Sequence, residues 1–163
     1  MKVVSIQKVN KKEIREFHCG IDELDTFISK YAMQNDKKDI GKTFVLKDED
    51  RMIGFYTLSN AQIAFDELKD SLSKGLPKYP VPCIRIARLA VAEEYQKNGF
   101  GAILLKDAIL RILNVADHTG IYFVIVDAKE SSFSFYEKYG FIRLEHDLTY
   151  LLPISTIRKA LGK

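Results

Sequence analysis

Tryptophan is absent, cysteine occurs twice and histidine three times, and four prolines serve the whole 163-residue chain. Two thiols far apart, Cys19 and Cys83, cannot make the dense disulfide framework of a small secreted domain, and both read as reduced structural residues. His18 beside Cys19 lacks a second Cys or His pair at a zinc spacing, so no metal is expected. No apolar run approaches the roughly 18 residues that a spanning helix needs, which argues against membrane partners. The first residues, MKVVSIQKVNKK, turn charged at once and hold no secretory apolar core, which sets the cytoplasm as the expected location. Low-complexity tracts, internal repeats, polybasic tails and Gly/Pro/Ser-rich linkers are all missing. A single domain over residues 1–163 is the expectation.

Charge of either sign is not in excess. Lys and Arg number 25 against 22 Asp and Glu, a net of +3. The first fifty residues carry ten of each sign. Such a balance permits RNA binding without arguing for it.

What is present is alternation between two periodicities. Val3–Val9 reads as a strand, and Asn10 with Glu13 has the spacing of a capped helix over Lys11–Phe17. Leu24, Phe27, Ile28, Tyr31 and Ala32 form one apolar face of a second helix, with Asp22, Glu23 and Asp25 at its positive end. Thr43–Leu46 and Met52–Ala64 flank the acidic turn Asp48–Asp50 as a hairpin. A short helix over Asp66–Leu72 precedes Pro77, Pro80 and Pro82, which bar regular structure up to Cys83. Then follow a strand over Ile84–Val91, a helix over Gly99–Leu113, and the β-branched run Ile121–Val126, patterned as a strand buried on both faces. A helix over Ser131–Lys138, strands over Phe141–Leu144 and Thr149–Leu152, and a helix over Ile154–Leu161 close the chain. The fold class is α/β, a mixed sheet flanked by helices.

The helix over Gly99–Leu113 opens on two glycines, in YQKNGFGAILLKDA. A P-loop fails because Asp36 stands where Gly41-Lys42-Thr43 would need the first glycine, and a dinucleotide fingerprint fails because its third glycine falls on Leu104. A strand, a short turn and Gln96-x-x-Gly99-x-Gly101 opening a helix place several unpaired backbone N–H groups at the positive end of the helix dipole. That is an anion site suited to a pyrophosphate, and a Cβ at 99 or 101 would hold phosphates off the backbone. A plain structural turn stands beside this reading. Leu105, Ala108, Ile109 and Ile112 form the supporting face, widened by Ile103, Leu104, Leu110 and Leu113, while Asp107, Arg111 and Asn114 face water.

Three pieces taken in order, Arg88-Leu89-Ala90-Val91, Gln96-Lys97-Asn98-Gly99-Phe100-Gly101 and Phe135-Tyr136-Glu137-Lys138-Tyr139-Gly140-Phe141, resemble the GNAT superfamily of GCN5-related N-acetyltransferases. HCGIDELDTFI, GFYTLS, LPKYPVPCIRIARLAV and LLKDAILR are similar to its branch of toxins from toxin–antitoxin pairs. The resemblance implies a GNAT fold with a mostly antiparallel sheet, acetyl-CoA as cosubstrate, and transfer of acetyl to a primary amine, the α-amino group of aminoacyl-tRNA. It also implies a ribbon-helix-helix antitoxin as partner and a homodimer. Two other readings use the same scaffold: acetylation of a small amine or a protein N-terminus, and a CoA-binding module without catalysis.

The resemblance implies that Tyr136 is the general acid for the CoA sulfur, a role open to a phenol that stays protonated at neutral pH. Backbone amides of Leu89, Ala90 and Val91 are expected to bind the acetyl oxygen and pantetheine, and those of Gln96, Lys97, Asn98, Gly99, Phe100, Gly101 and Ala102 the pyrophosphate. The Gln96 side chain is read as ordering the turn, and Tyr139 as packing. Arg88 is either buried and structural or reaches an RNA phosphate. Glu93, Glu94 and Asp127 are the candidate bases, though an α-amine of pKa about 7.7–8.0 needs little help to lose its proton.

Overall fold

The computed structural model describes residues 1–144 and 147–163. Strand β1 (Lys2–Ser5) stops before Val9, where the sequence pattern would carry it, because the Ser5 hydroxyl caps the next turn by accepting the Gln7 N–H. Asn10 caps α1 (Lys11–Arg15) as its spacing predicts, taking the Glu13 N–H at 2.9 Å. Helices α2 (Asp22–Thr26) and α3 (Ala32–Lys37) are joined by one wide turn over Phe27–Tyr31, where the Ala32 N–H reaches back to the Phe27 carbonyl. This π-type turn holds an extra residue, and it shifts the helical register. Phe27, Ile28 and Ala32 are buried as expected, but Tyr31 is turned outward, about half exposed.

Strands β2 (Lys42–Asp48) and β3 (Arg51–Ile63) form the expected hairpin. The 66–72 segment splits into a 3-10 turn and the single turn α4 (Asp70–Ser73). Beyond it run β4 (Val81–Val91), α5 (Phe100–Ala116), β5 (Phe123–Asp127), α6 (Phe133–Lys138), β6 (Ile142–Arg143), β7 (Thr149–Pro153) and α7 (Ile154–Ala160). Strand β5 begins two residues later than its apolar run, since Tyr122 spends its N–H on Pro82 and its carbonyl on Ile154. The sheet order is β1-β2-β3-β4-β5-β7-β6, with β4 and β5 parallel and β1–β2, β2–β3, β5–β7 and β6–β7 antiparallel. This is the α/β class expected.

Two compact units divide the chain. The first holds Met1–Ser59 and Ala87–Leu110, the second Asn60–Ile86 and Arg111–Lys163. In the first, Phe17, Phe27, Phe55 and Ala90 share one core, with Phe55 edge-on to Phe17 at 5.6 Å and stacked on Phe27 at 6.3 Å. In the second, Cys83, Phe123, Ile125 and Leu151 are buried together. Both cysteines are free and buried, and burial pushes each thiol up to about 11, so neither is a nucleophile near neutrality.

Within the first unit α5 lies on the β3 face that carries Gly54 and Tyr56. The Tyr56 hydroxyl donates to Asp107, which therefore does not simply face water as its position in the helix suggests. Leu104, Leu105, Ala108 and Ile112 are buried, whereas Ile103 and Leu110, expected to widen the apolar face, are nearly half exposed. Gly54 sets the closeness of the layers: a Cβ there would stand 2.6 Å from the Ala90 carbonyl oxygen and 2.8 Å from Leu104 Cδ1. Since one obstacle is backbone, Gly54→Ala is expected to cost about 1–3 kcal/mol. A thermal melt should show a transition several degrees lower, and an unchanged melt would refute the tight approach.

Candidate active site

The sequence-selected backbone segments meet at the end of β4. The parallel ladder with β5 pairs Cys83–Ile86 with Phe123–Val126 and goes no further. Successive N–H groups of a strand point to opposite edges. The Ala92 N–H is taken by the Ile53 carbonyl at 2.8 Å, so those of Leu89 and Val91 point to the opposite edge of β4. Ala90, between them, is buried in the core. Of the three residues selected from sequence, Leu89 and Val91 thus aim their N–H groups away from β3.

The turn after β4 is held by side-chain amides. Gln96 Nε2 donates to the carbonyls of Cys19 and Val91, each at 2.8 Å, and its own N–H goes to Glu93. The Gln96 side chain therefore orders the turn, as its sequence position suggested. Asn98 Nδ2 binds the Tyr95 and Gln96 carbonyls, which lets the chain pass through left-handed geometry at Lys97 (φ +64°) and Gly99 (φ +85°). A Cβ on Gly99 would meet nothing within 4 Å, so packing places no demand on this glycine. The left-handed backbone and the open space beside it do.

Ile103 is the first residue of α5 whose N–H reaches a carbonyl, that of Gly99 at 3.3 Å. Ahead of it the N–H groups of Gly99, Phe100, Gly101 and Ala102 have no internal acceptor among the described residues. Several amides without an internal acceptor at the start of a 17-residue helix, beside the open space at Gly99, make a candidate cradle for a di-anionic phosphate group. These residues fit the pyrophosphate of CoA. Among the described residues no group of three or more His, Cys, Asp or Glu could hold a metal, and no helix is long and apolar enough to cross a membrane.

Tyr136 belongs to the second unit, on α6. It is 6% exposed and ringed by aromatics: Phe135 at 5.1 Å, Phe141 at 5.4 Å and Tyr150 at 6.2 Å between ring centroids. No described residue hydrogen-bonds its hydroxyl, in contrast to the neighbouring Tyr150, whose hydroxyl donates to Glu137 at 2.7 Å. Burial pushes the Tyr136 phenol up to about 12, because the phenolate would be desolvated without a counter-charge. Tyr139 packs edge-on against Phe135 at 5.3 Å and remains partly exposed.

Two of the three candidate bases are engaged. Glu94 pairs with Arg51 at 3.5 Å, Asp127 is bound by Arg85 and by the Thr149 hydroxyl, and the Glu93 carboxylate lies against Gly20. Two positions that sequence reasoning passed over shape the site, Gly54 under Ala90 and the Tyr56–Asp107 contact behind α5. A glycine within a strand pattern was the one available signal, since it often marks a close backbone approach.

A raised phenol stabilises the protonated form, so its contribution to folding is complete below pH ~10 and lost as pH climbs through about 12. Difference titration of tyrosinate absorbance between wild type and Tyr136→Phe is expected to show no ionisation of Tyr136 below pH ~11. A group titrating near 10 would contradict its burial.

The model of the acetyltransferase (GNAT) domain family matches residues 7–149. A curated relative described as "Probable toxin TacT", from Sinorhizobium fredii, is 30% identical over 94% of this chain and 91% of its own length. The "tRNA-acetylating toxin" of Mycobacterium tuberculosis is 30% identical over 91% of this chain and 90% of its own. Among solved structures, AtaT complexed with acetyl-methionyl-tRNAfMet superposes with a TM-score of 0.89 at 24% identity, over 99% of both chains, and so shares the fold. AtaTR bound with AcCoA gives 0.84, also at 24%, over 99% of this chain and 98% of that one. A strand that leaves its partner, an amide-led helix behind it and a family match across most of the chain agree: this protein belongs to the GNAT family of acetyltransferases.

Proposed function

We propose that the protein is an acetyl-CoA-dependent N-acetyltransferase whose acceptor is the α-amino group of aminoacyl-tRNA, working as a toxin in the cytoplasm under a ribbon-helix-helix antitoxin. The acceptor rests on one observation, the relationship to the tRNA-acetylating toxin along nearly the full length of both chains. The antitoxin accords with the structure of an AtaT mutant bound to the C-terminus of the antitoxin AtaR, and the dimer is carried over from the toxin branch by resemblance. Residues 1–163 act as one catalytic domain, since the family match spans residues of both compact units.

Acetyl-CoA, when bound, supplies the activated thioester. The amides of Lys97 to Ala102 hold its pyrophosphate, with Gln96 and Asn98 keeping the turn in shape. The N–H groups of Leu89 and Val91 bind pantetheine and the acetyl oxygen, where negative charge grows as the amine attacks. The new C–N bond forms, the C–S bond breaks, the amine sheds a proton to water, and the departing sulfur takes one. Tyr136 is the donor to that sulfur. Handing a proton from a phenol of about 12 to a thiolate near 8.5 runs uphill by roughly 5 kcal/mol. Tyr136 therefore serves by hydrogen bonding as charge develops, and where its proton is passed on outright the phenolate regains one from the water that took the amine proton. An α-amine, largely neutral near pH 8, needs no protein base, which agrees with the engagement of Glu94 and Asp127.

Incubation with labelled acetyl-CoA and total charged tRNA should place label on the aminoacyl group, and Tyr136→Phe should lower that turnover at least ~10-fold. Label only on small amines or protein N-termini would replace the acceptor, and unchanged turnover in the mutant would remove Tyr136 from the donor role. Gly99→Val forces a β-branched residue into left-handed geometry and fills the open cradle, so acetyl-CoA binding should weaken at least ~10-fold while the domain stays folded. Intact binding in a folded Gly99→Val protein would move the pyrophosphate elsewhere.

A further inference from the structure

Arg88 is the residue that the acetyl-CoA cradle does not use. It lies on β4 one position before Leu89, with its guanidinium carbon 3.7 Å from the centroid of the Phe27 ring. The side chain is half-buried, and burial lowers its pKa, the direction expected of a cation held from water without a counter-charge. Among the described residues no carboxylate pairs with it and no acceptor takes its N–H groups. The helix that leads into Phe27 is acidic, with Asp22, Glu23 and Asp25, yet none of these reaches Arg88. Asp25 instead accepts the Cys19 N–H at 2.8 Å. An arginine kept for packing alone would be expected to take such a partner, because an unpaired, partly desolvated charge is costly. The stack on Phe27 covers one face of the guanidinium plane and leaves its forked donors for an anion.

The position of Arg88 separates it from the cofactor. Side chains alternate along a strand, so Arg88 shares a face with Ala90, which is buried with Phe27 and Phe55. On β3 the neighbours of Phe55, Gly54 and Tyr56, turn to the other face and meet Leu104 and Asp107 of α5. The amide-led helix and Arg88 therefore work on opposite faces of the same strands in the first unit. A second anion reaching Arg88 approaches from the side away from α5, which is where an acceptor, and not the CoA pyrophosphate, would bring its charge.

We infer that Arg88, stacked on Phe27, grips a backbone phosphate of the acceptor RNA. A planar fork matches a phosphate in two-point geometry, which a lysine ammonium does not. The inference rests on the aminoacyl-tRNA reading for the identity of the acceptor, and its test is separable from that reading. Arg88→Gln and Arg88→Lys would be compared with wild type for binding of a fluorescent, uncharged acceptor-stem RNA across a salt series, with melting temperature and acetyl-CoA affinity measured on the same samples.

Arg88→Gln should weaken RNA binding about 10-fold and flatten the log–log salt slope by about 0.7–0.9, the loss of one phosphate contact. Arg88→Lys should regain most of the slope but not all of the affinity, and acetyl-CoA binding should stay within about twofold in both. RNA affinity and slope unchanged in a folded Arg88→Gln protein would overturn the inference, as would a wild type that binds no RNA. A selective loss of acetyl-CoA affinity would overturn it too, by giving Arg88 to the cofactor. If wild type binds RNA through Arg88 yet transfers no label to charged tRNA, the phosphate contact stands and the acceptor reading fails. If label is transferred and Arg88→Gln binds RNA as wild type does, the reverse holds.

Discussion

The parallel pairing of β4 with β5 ends at Ile86 and Val126, and the acetyl-CoA binding proposed for the first unit depends on that early stop. A strand that stays in the ladder spends every N–H on its neighbours. One that leaves it turns the N–H groups of Leu89 and Val91 away from β3, while the edge toward β3 is fastened at Ala92 to Ile53. The stop also delivers the chain to Gln96, whose carboxamide ties the turn to Cys19 and Val91 and so aims the start of α5.

Two glycines serve this arrangement for different reasons. Gly99 has nothing near its missing Cβ and is there for a left-handed backbone beside open space. Gly54 has ordinary geometry and is there because Ala90 and Leu104 approach too closely for any side chain. One glycine shapes the turn ahead of α5, and the other sets how near α5 can lie to the strands beneath it.

Tyr136 and Arg88 illustrate two fates of a polar group in a mostly apolar setting. The phenol remains neutral under burial and so keeps its proton far above physiological pH. The guanidinium cannot shed its charge and instead leans on an aromatic ring with its donors unfilled. Among the described residues neither has the internal partner that Tyr150 finds in Glu137 or Arg85 in Asp127. A polar group left without such a partner is a candidate for one that arrives with a ligand.

The sequence by itself determined the order of strands and helices, the capped α1 and the glycine-led helix. Each of these is written in short-range periodicity or in contiguous residues, where local sterics and hydrogen bonding decide the outcome. Tertiary structure decided what depends on residues distant in the chain. Tyr31 turned outward because the π-type turn at Phe27 rotated the helix behind it, and Ile103 and Leu110 stayed exposed because packing chose the Leu104–Ala108–Ile112 stripe. Asp107 found Tyr56 across fifty-one positions, and Arg88 found Phe27 and no carboxylate. Whether a charged residue is paired, stacked or left open to substrate is set by the elements that fold against it, and no local pattern encodes that choice.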